Sequence, residues 1–119
     1  MPRILVVDDE PLIAMMIADW LKEQGHEILG PAYSVSQAFE LLGSETVDAA
    51  ILDVSLGEHN CYEVADALAA KAVPFVFATG YDADSVAQRF ANVTTVAKPF
   101  DFEAVRTAVA NLLRDPSAI

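Results

Sequence analysis

Four places in this chain carry side chains that could do chemistry together. Asp8-Asp9-Glu10 follows the apolar run Ile-Leu-Val-Val, and Asp53 closes Ala-Ala-Ile-Leu. Thr79 closes Phe-Val-Phe-Ala, and Lys98 follows Thr-Val-Ala. Taken singly each has a plain explanation. Asp is common in turns, acidic residues favour a helix N-terminus, and Thr suits a strand. Taken together they describe a polyanionic pocket with one cation. Carboxylates brought close repel one another, and a hard divalent cation with oxygen ligands offsets that repulsion. Mg2+ characteristically takes one or two carboxylates plus waters and phosphate oxygens. With the metal and Lys98 in place, one carboxylate can stay ionised and act as a nucleophile that forms an acyl phosphate. Catalysis of such a step is mostly positioning and neutralisation of oxygen charge. A Thr79 hydroxyl can donate to a phosphoryl oxygen.

This chemistry requires elements that deliver all four places to one edge. Arg3–Val7 is a β-branched run and reads as a first strand; Pro11 then suits the first turn of a helix. Ile13, Met16, Ile17, Trp20, Leu21 and Gln24 recur at helical spacing, with Ala14, Met15 and Ala18 toward a thin polar side, and Gly25 is a stop signal. Glu27–Ala32 reads as a second strand interrupted by Gly30-Pro31. Ser34 with Gln37 three residues on matches a capping box, and Gly43 ends the helix that follows. Val47–Asp53 reads as a third strand, whose apolar run Ala49–Leu52 has no polar alternation, as suits a strand buried on both faces of a parallel sheet. Leu56–Cys61 reads as a loop, and Tyr62–Lys71 as a helix with Val64, Ala65, Leu68 and Ala69 inward. Phe75–Ala78 is a fourth strand. Asp82 or Asp84 caps a short helix reaching Phe90, the least anchored of the set. Thr94–Ala97 is a fifth strand, and Asp101 caps a last helix with Val105, Ala108, Val109, Leu112 and Leu113 inward.

Five strand–helix repeats imply an α/β fold, a doubly wound parallel sheet with helices on both faces. Right-handed crossovers then favour the flavodoxin-like order 2-1-3-4-5. In that order strands one, three, four and five are neighbours. Asp8, Asp9, Asp53, Thr79 and Lys98 all fall at their carboxyl ends, where open α/β sheets bind ligands.

At 119 residues the chain has the length of one domain, with 54% hydrophobic residues to build a core. The expected organisation is a single domain over 1–119 with a fraying tail at 115–119 and no output domain. The net charge of −11 disfavours direct nucleic-acid binding, because the protein would repel the phosphate backbone. Metal cations and basic protein surfaces suit it better. One cysteine, Cys61, excludes an internal disulfide, which fits a cytoplasmic location. No run approaches membrane-spanning length, and no signal peptide is expected.

Val-Val-Asp8-Asp9-Glu, Asp53 at a strand end, Thr79 and Lys98-Pro99-Phe100, on this repeat pattern, resemble the receiver domain of bacterial response regulators, in the CheY-like superfamily. The resemblance spans essentially the whole chain. It implies that Asp53 accepts a phosphoryl group from a histidine kinase or phosphotransfer protein, in two-component phosphorelay signalling. It implies that Asp9 binds Mg2+ directly and Asp8 through water, with Asp53 and the Ser55 backbone carbonyl as further ligands. Thr79 would contact the phosphoryl group, Lys98 would pair with it, and the Lys98-Pro99 bond would be cis. Output would run through protein–protein contacts, from a monomer or weak dimer, with no enzyme activity beyond Mg2+-dependent self-phosphorylation from a donor and autodephosphorylation. Typical receivers carry Tyr or Phe three residues before the lysine; here Thr95 stands there. Pro74-Phe75-Val76-Phe77-Ala78-Thr79-Gly80-Tyr81 resembles the FAT GUY subgroup, which also lacks that aromatic and is commonly single-domain and associated with HWE or related histidine kinases. Gly80, Tyr81, Thr95 and Pro99 are then the expected switch and partner surface, with Gly80 and the short helix after it carrying the response.

Two readings from other classes compete. A Mg2+-dependent aspartyl-phosphate hydrolase of small molecules would use similar groups, but usually carries a second acid two residues after the nucleophile, where Ser55 stands. A flavodoxin-like nucleotide binder would want a Gly- or Ser/Thr-rich loop after strand one, where Asp8-Asp9-Glu10-Pro11 would repel phosphate. Other features read plainly. Trp20 is core, His26 and His59 are surface loop residues without zinc spacing, Cys61 is a loop or helix-start residue, and the apolar side of helix one is partly buried rather than a dimer patch.

Overall fold

The computed structural model describes residues 2–56, 59–79, 93–97 and 102–114. Their order is β1 (Arg3–Val7), α1 (Pro11–Glu23), β2 (Glu27–Ala32), α2 (Val35–Ser44), β3 (Ala49–Asp53), β4 (Ser55–Leu56), β5 (His59–Asn60), α3 (Tyr62–Ala70), β6 (Phe75–Thr79), β7 (Thr95–Ala97) and α4 (Phe102–Arg114). Five strands form one sheet in the order β2-β1-β3-β6-β7, every pair parallel. This is the flavodoxin-like order read from the repeats, with strands four and five of that reading now β6 and β7. The expected short helix through Phe90, the caps at Asp82, Asp84 and Asp101, and the tail 115–119 lie outside the described residues.

Strand alternation divides the core into two layers, because successive side chains point to opposite faces. Leu5, Val7, Ala50, Leu52, Phe75 and Phe77 pack on one face with Ala38, Leu42, Val64 and Leu68 of α2 and α3. Ile4, Val6, Ala49, Ile51, Val76 and Ala78 pack on the other with Ala14, Ile17, Leu21, Val105 and Val109 of α1 and α4. Rings dominate the first layer: Phe77 lies 5.6 Å from Phe75 and 6.1 Å edge-on to Tyr62 between centroids. Methyls dominate the second.

Helix α1 turns a different stripe inward from the one its large residues suggested. Ala14, Ile17, Ala18 and Leu21 are buried, whereas Met16 is 36% and Met15 51% exposed. Both sets obey helical spacing. Alanines at 14 and 18 let the helix axis approach the sheet, and that approach decides the rotation. Burying Ile17 and Leu21 contributes about 1.5–3 kcal/mol each. After the cap at Gln24, Gly25 at φ +91° ends the helix as expected.

Strand β2 runs through Gly30-Pro31 instead of breaking there. It is an edge strand, where a missing N–H is tolerated. The pairing with β1 shifts from Leu5↔Leu29 to Val7↔Ala32 across the dipeptide, whose peptide bond is cis, and Gly30 sits at φ +92°. A Cβ there would lie 2.6 Å from the Ala32 amide nitrogen, so glycine is required. At α2 the Ser34 hydroxyl accepts from the Gln37 amide at 3.2 Å, as the capping box predicts. Gln37 Oε1 instead accepts from the Tyr33 amide at 2.8 Å, one residue earlier than the motif requires.

Two boundaries and one inward position also differ. Val47 is buried but precedes the ladder, which begins at Ala49, because Asp48 is occupied with the Arg3 backbone on the carboxylate and amide sides. Ala69 of α3 is exposed. The expected loop Leu56–Cys61 contains a small antiparallel hairpin, Ser55↔Asn60 and Leu56↔His59.

Candidate functional site

The carboxyl ends of β1, β3, β6 and β7 are contiguous along the sheet. Val7 is in register with Leu52, so Asp8 and Asp53 leave the sheet side by side, on strands about 4.8 Å apart. Asp53 is in register with Ala78, and Thr79 with Ala97. Asp8, Asp53 and Thr79 therefore stand at one edge, as the order of strands predicted. Lys98, the residue after Ala97, lies outside the described residues, as do Gly80, Tyr81 and Pro99.

Asp8 and Asp53 are 1% and 4% exposed, and they are the buried charged side chains among the described residues. Removing a carboxylate from water costs several kcal/mol unless polar or cationic partners replace the solvent, so a fold does not place two of them side by side without use. Asp8 is anchored from both directions. Its amide donates to the Ala32 carbonyl at 3.0 Å, extending the β1–β2 ladder by one residue. Its Oδ1 accepts from the Glu10 amide at 2.9 Å, which turns the chain into α1. That turn brings Asp9 and Glu10 around, so that one carboxylate oxygen from each of Asp8, Asp9 and Glu10 lies within 4.8 Å of the others. Glu10 belonged to the acidic motif in the sequence but was not expected at the pocket. This all-oxygen donor set suits a hard divalent cation such as Mg2+, and the residues present fit it.

Downstream of Asp53 the backbone is held by hydrogen bonds rather than by a free loop. The Val54 amide donates to the Ala78 carbonyl at 3.1 Å, and the Val54 carbonyl accepts from the Cys61 amide at 3.0 Å. Cys61 is at the cap position of α3, a helix-start residue as one of the two readings had it, and it is also fully buried in the core. Burial pushes its thiol up to about 12, and the negative charge of Asp53 adds to the effect. No spacing rule flags such a residue; its only sequence signal is an apolar type one position before a helical stripe. Ser55, the expected carbonyl ligand, opens the hairpin two residues after Asp53.

Thr95, which replaces the usual aromatic, pairs in register with Phe77 and is half-buried in β7. Its hydroxyl donates to the Val93 carbonyl at 3.5 Å. Trp20 packs partly buried against the α1–α4 layer. His26 is half-buried, not a free surface residue, and burial lowers its imidazole from the ordinary value of 6.5. No helix among the described residues is long and apolar enough to cross a membrane.

Comparison with known proteins gives one consistent family. The family model described as the response regulator receiver domain matches residues 4–110. The transcriptional regulatory protein PdtaR of Mycobacterium tuberculosis is 31% identical over 111 residues, covering 90% of this chain and 54% of that protein. The sensory transduction protein LytR of Streptococcus agalactiae is 33% identical, covering 92% of this chain and 47% of that protein. The chain thus spans about half the length of these curated relatives. Among solved structures, SdrG from Sphingomonas melonis superposes with a TM-score of 0.83 at 44% identity, covering 95% of this chain and 97% of that one. The response regulator TrrA from Thermotoga maritima, solved in complex with Mg2+-BeF, has a TM-score of 0.83 at 32% identity, with 95% and 100% covered.

Proposed function

Because this chain belongs to the response regulator receiver domain family, we propose that it takes a phosphoryl group on Asp53 from a histidine kinase or phosphotransfer protein and passes the signal on through protein contacts. The observation that carries the reading is the pair of buried carboxylates, Asp53 and Asp8, on adjacent strand ends. Asp53 is the nucleophile: an Oδ attacks phosphorus, the P–N bond of the donor phosphohistidine breaks, and the imidazole leaves. Asp8, Asp9 and the Asp53 carboxylate hold Mg2+ together with the Ser55 carbonyl, and Glu10 adds negative charge beside them. Bound Mg2+ supplies charge neutralisation at the phosphoryl oxygens. Thr79 donates its hydroxyl to the phosphoryl group, and Lys98 pairs with it. The Mg2+-BeF complex of TrrA supports this use of the metal by analogy with that protein.

Thr95 in place of an aromatic, with Pro74–Tyr81 as it stands, supports a place in the FAT GUY subgroup and a kinase of HWE or related type. Gly80, Tyr81 and Pro99 then form the responding surface, in a cytoplasmic monomer or weak dimer. The protein works on its own Asp53 and not on a pool of substrate.

Incubation with Mg2+ and acetyl phosphate followed by intact mass tests this. A single phosphoryl adduct is expected in the wild type and none in Asp53→Asn. If hydrolysis outruns detection, beryllofluoride titrated against Trp20 fluorescence replaces the adduct. Steady turnover of small phosphate esters without an adduct would instead favour a hydrolase.

A further inference from the structure

The chain just after Asp53 meets Cys61 again across a hydrogen bond. Asp53 is the last residue of β3, paired with Ala78 of β6. The next amide, Val54, also donates to the Ala78 carbonyl, and the Val54 carbonyl receives the Cys61 amide. Between these two bonds the chain goes out and back as β4 and β5. Hydrogen-bonded and non-bonded pairs alternate in an antiparallel ladder. Since Val54 and Cys61 are bonded, Leu56 and His59 are the next bonded pair out. Cys61 then starts α3, its carbonyl accepting from Ala65 at 2.9 Å, and its side chain lies in the same core layer as Val54 and Phe77.

We propose that this hairpin, closed on Val54 by the Cys61 amide, is the positioning element of the phosphoacceptor, and that it sets how long the phosphoryl group survives on Asp53. The proposal rests on the reading of Asp53 as phosphoacceptor. Loss of the group requires a water oxygen to bond to phosphorus while the bond to the Asp53 oxygen breaks, releasing inorganic phosphate. The rate of that in-line displacement depends on how the carboxylate is aimed. The backbone at 53–54 has one side tied to β6 and the other tied to the hairpin, so a loosened hairpin frees one of the two restraints. Val54 and Cys61 act through Asp53 and are positioning residues.

The two functions of Cys61 can be separated. Cys61→Pro deletes the amide donor at a backbone angle, φ −86°, close to the value proline imposes. Cys61→Ala keeps the amide and removes only the sulfur from the core. His59→Pro breaks the outer bonded pair and serves if Cys61→Pro does not fold. The half-life of the phosphoryl adduct is read well below the melting temperature of each variant. Cys61→Pro and His59→Pro are expected to change it by on the order of tenfold, the scale of sub-ångström misplacement effects, while Cys61→Ala stays within about twofold of wild type. Unchanged half-lives in both proline variants overturn the proposal, as does an equal change in Cys61→Ala, which would mark a general packing effect. A wild type that takes no phosphoryl group removes the underlying reading instead. Exchange of the Val54 amide then judges the brace: faster in the proline variants and not in Cys61→Ala upholds it, and no difference overturns it.

Discussion

Removing one charge from the acidic cluster should make the metal-free protein more stable, not less. The clearest case is Asp8→Asn. The amide keeps an oxygen to accept from Glu10, as Oδ1 does at 2.9 Å, so the substitution changes charge with little change in hydrogen bonding. Oxygens of Asp8, Asp9 and Glu10 lie within 4.8 Å of one another. Two unit charges at that separation repel by about 3.5 kcal/mol at an effective dielectric of ~20 and by about 0.9 kcal/mol in bulk water. Asp8 is 1% exposed, but its two neighbours open to water, so the relief lies between these limits, at about 1–3 kcal/mol. For a domain of this size a stability gain of that order raises the melting temperature by about 4–12 °C. Thermal unfolding followed by Trp20 fluorescence, in chelator and then in saturating Mg2+, reads both arms. In chelator Asp8→Asn should melt above wild type. In Mg2+ the wild type should rise and the variant hardly move, closing the gap. Asp53→Asn should behave alike in direction, since its carboxylate is also buried beside Asp8. A lower melting temperature for Asp8→Asn in chelator would refute the reasoning, because the carboxylate would then be stabilised by its surroundings rather than strained by its neighbours.

Other outcomes follow from the packing and the caps. Phe77→Ala removes a fully buried ring that contacts Phe75 and Tyr62 and should cost about 3–5 kcal/mol in denaturant unfolding. Ser34→Ala loses the bond to the Gln37 amide and should cost about 1 kcal/mol, without altering phosphorylation. For Cys61 the sign follows from a folded-state value raised from 9.0 to about 12. Below the lower value the thiol is protonated in both states and gives no slope. Between the two, the unfolded chain loses the proton and the folded one keeps it, so stability falls as pH rises, by up to about 1.4 kcal/mol per unit. Cys61→Ala should flatten that alkaline limb of urea unfolding, and native Cys61 should resist iodoacetamide at mildly alkaline pH.

The order of strands was legible in the five-fold alternation of strand and helix, which right-handed crossovers reduce to few topologies. Asp8, Asp53 and Thr79 then marked the candidate site, because that order sets their strand ends side by side. The rotation of α1 was not legible. Periodicity alone cannot rank Ala14 and Ala18 against Ile13 and Met16, since small size matters only once the distance to the sheet is known. The hairpin after Asp53 was missed because Gly57 and Asn60 read as loop residues, and a two-residue strand has no periodicity to detect. Cys61 was passed over for the same reason: its role comes from a backbone amide, which every residue but proline has. The path of β2 through Gly30-Pro31 depended on its being an edge strand, a fact of the assembled sheet and not of those residues.

Strand β3 has a hydrogen-bonded neighbour on each side and a packed layer on each face. Its amides can meet solvent only when the whole domain opens, so they should rank among the slowest to exchange. Asp53, the proposed nucleophile, is thus fixed to the least yielding part of the molecule. A phosphoryl group added there would work like a blow on an anvil: the strand beneath would not give, and the displacement would be taken up by whatever surrounds it.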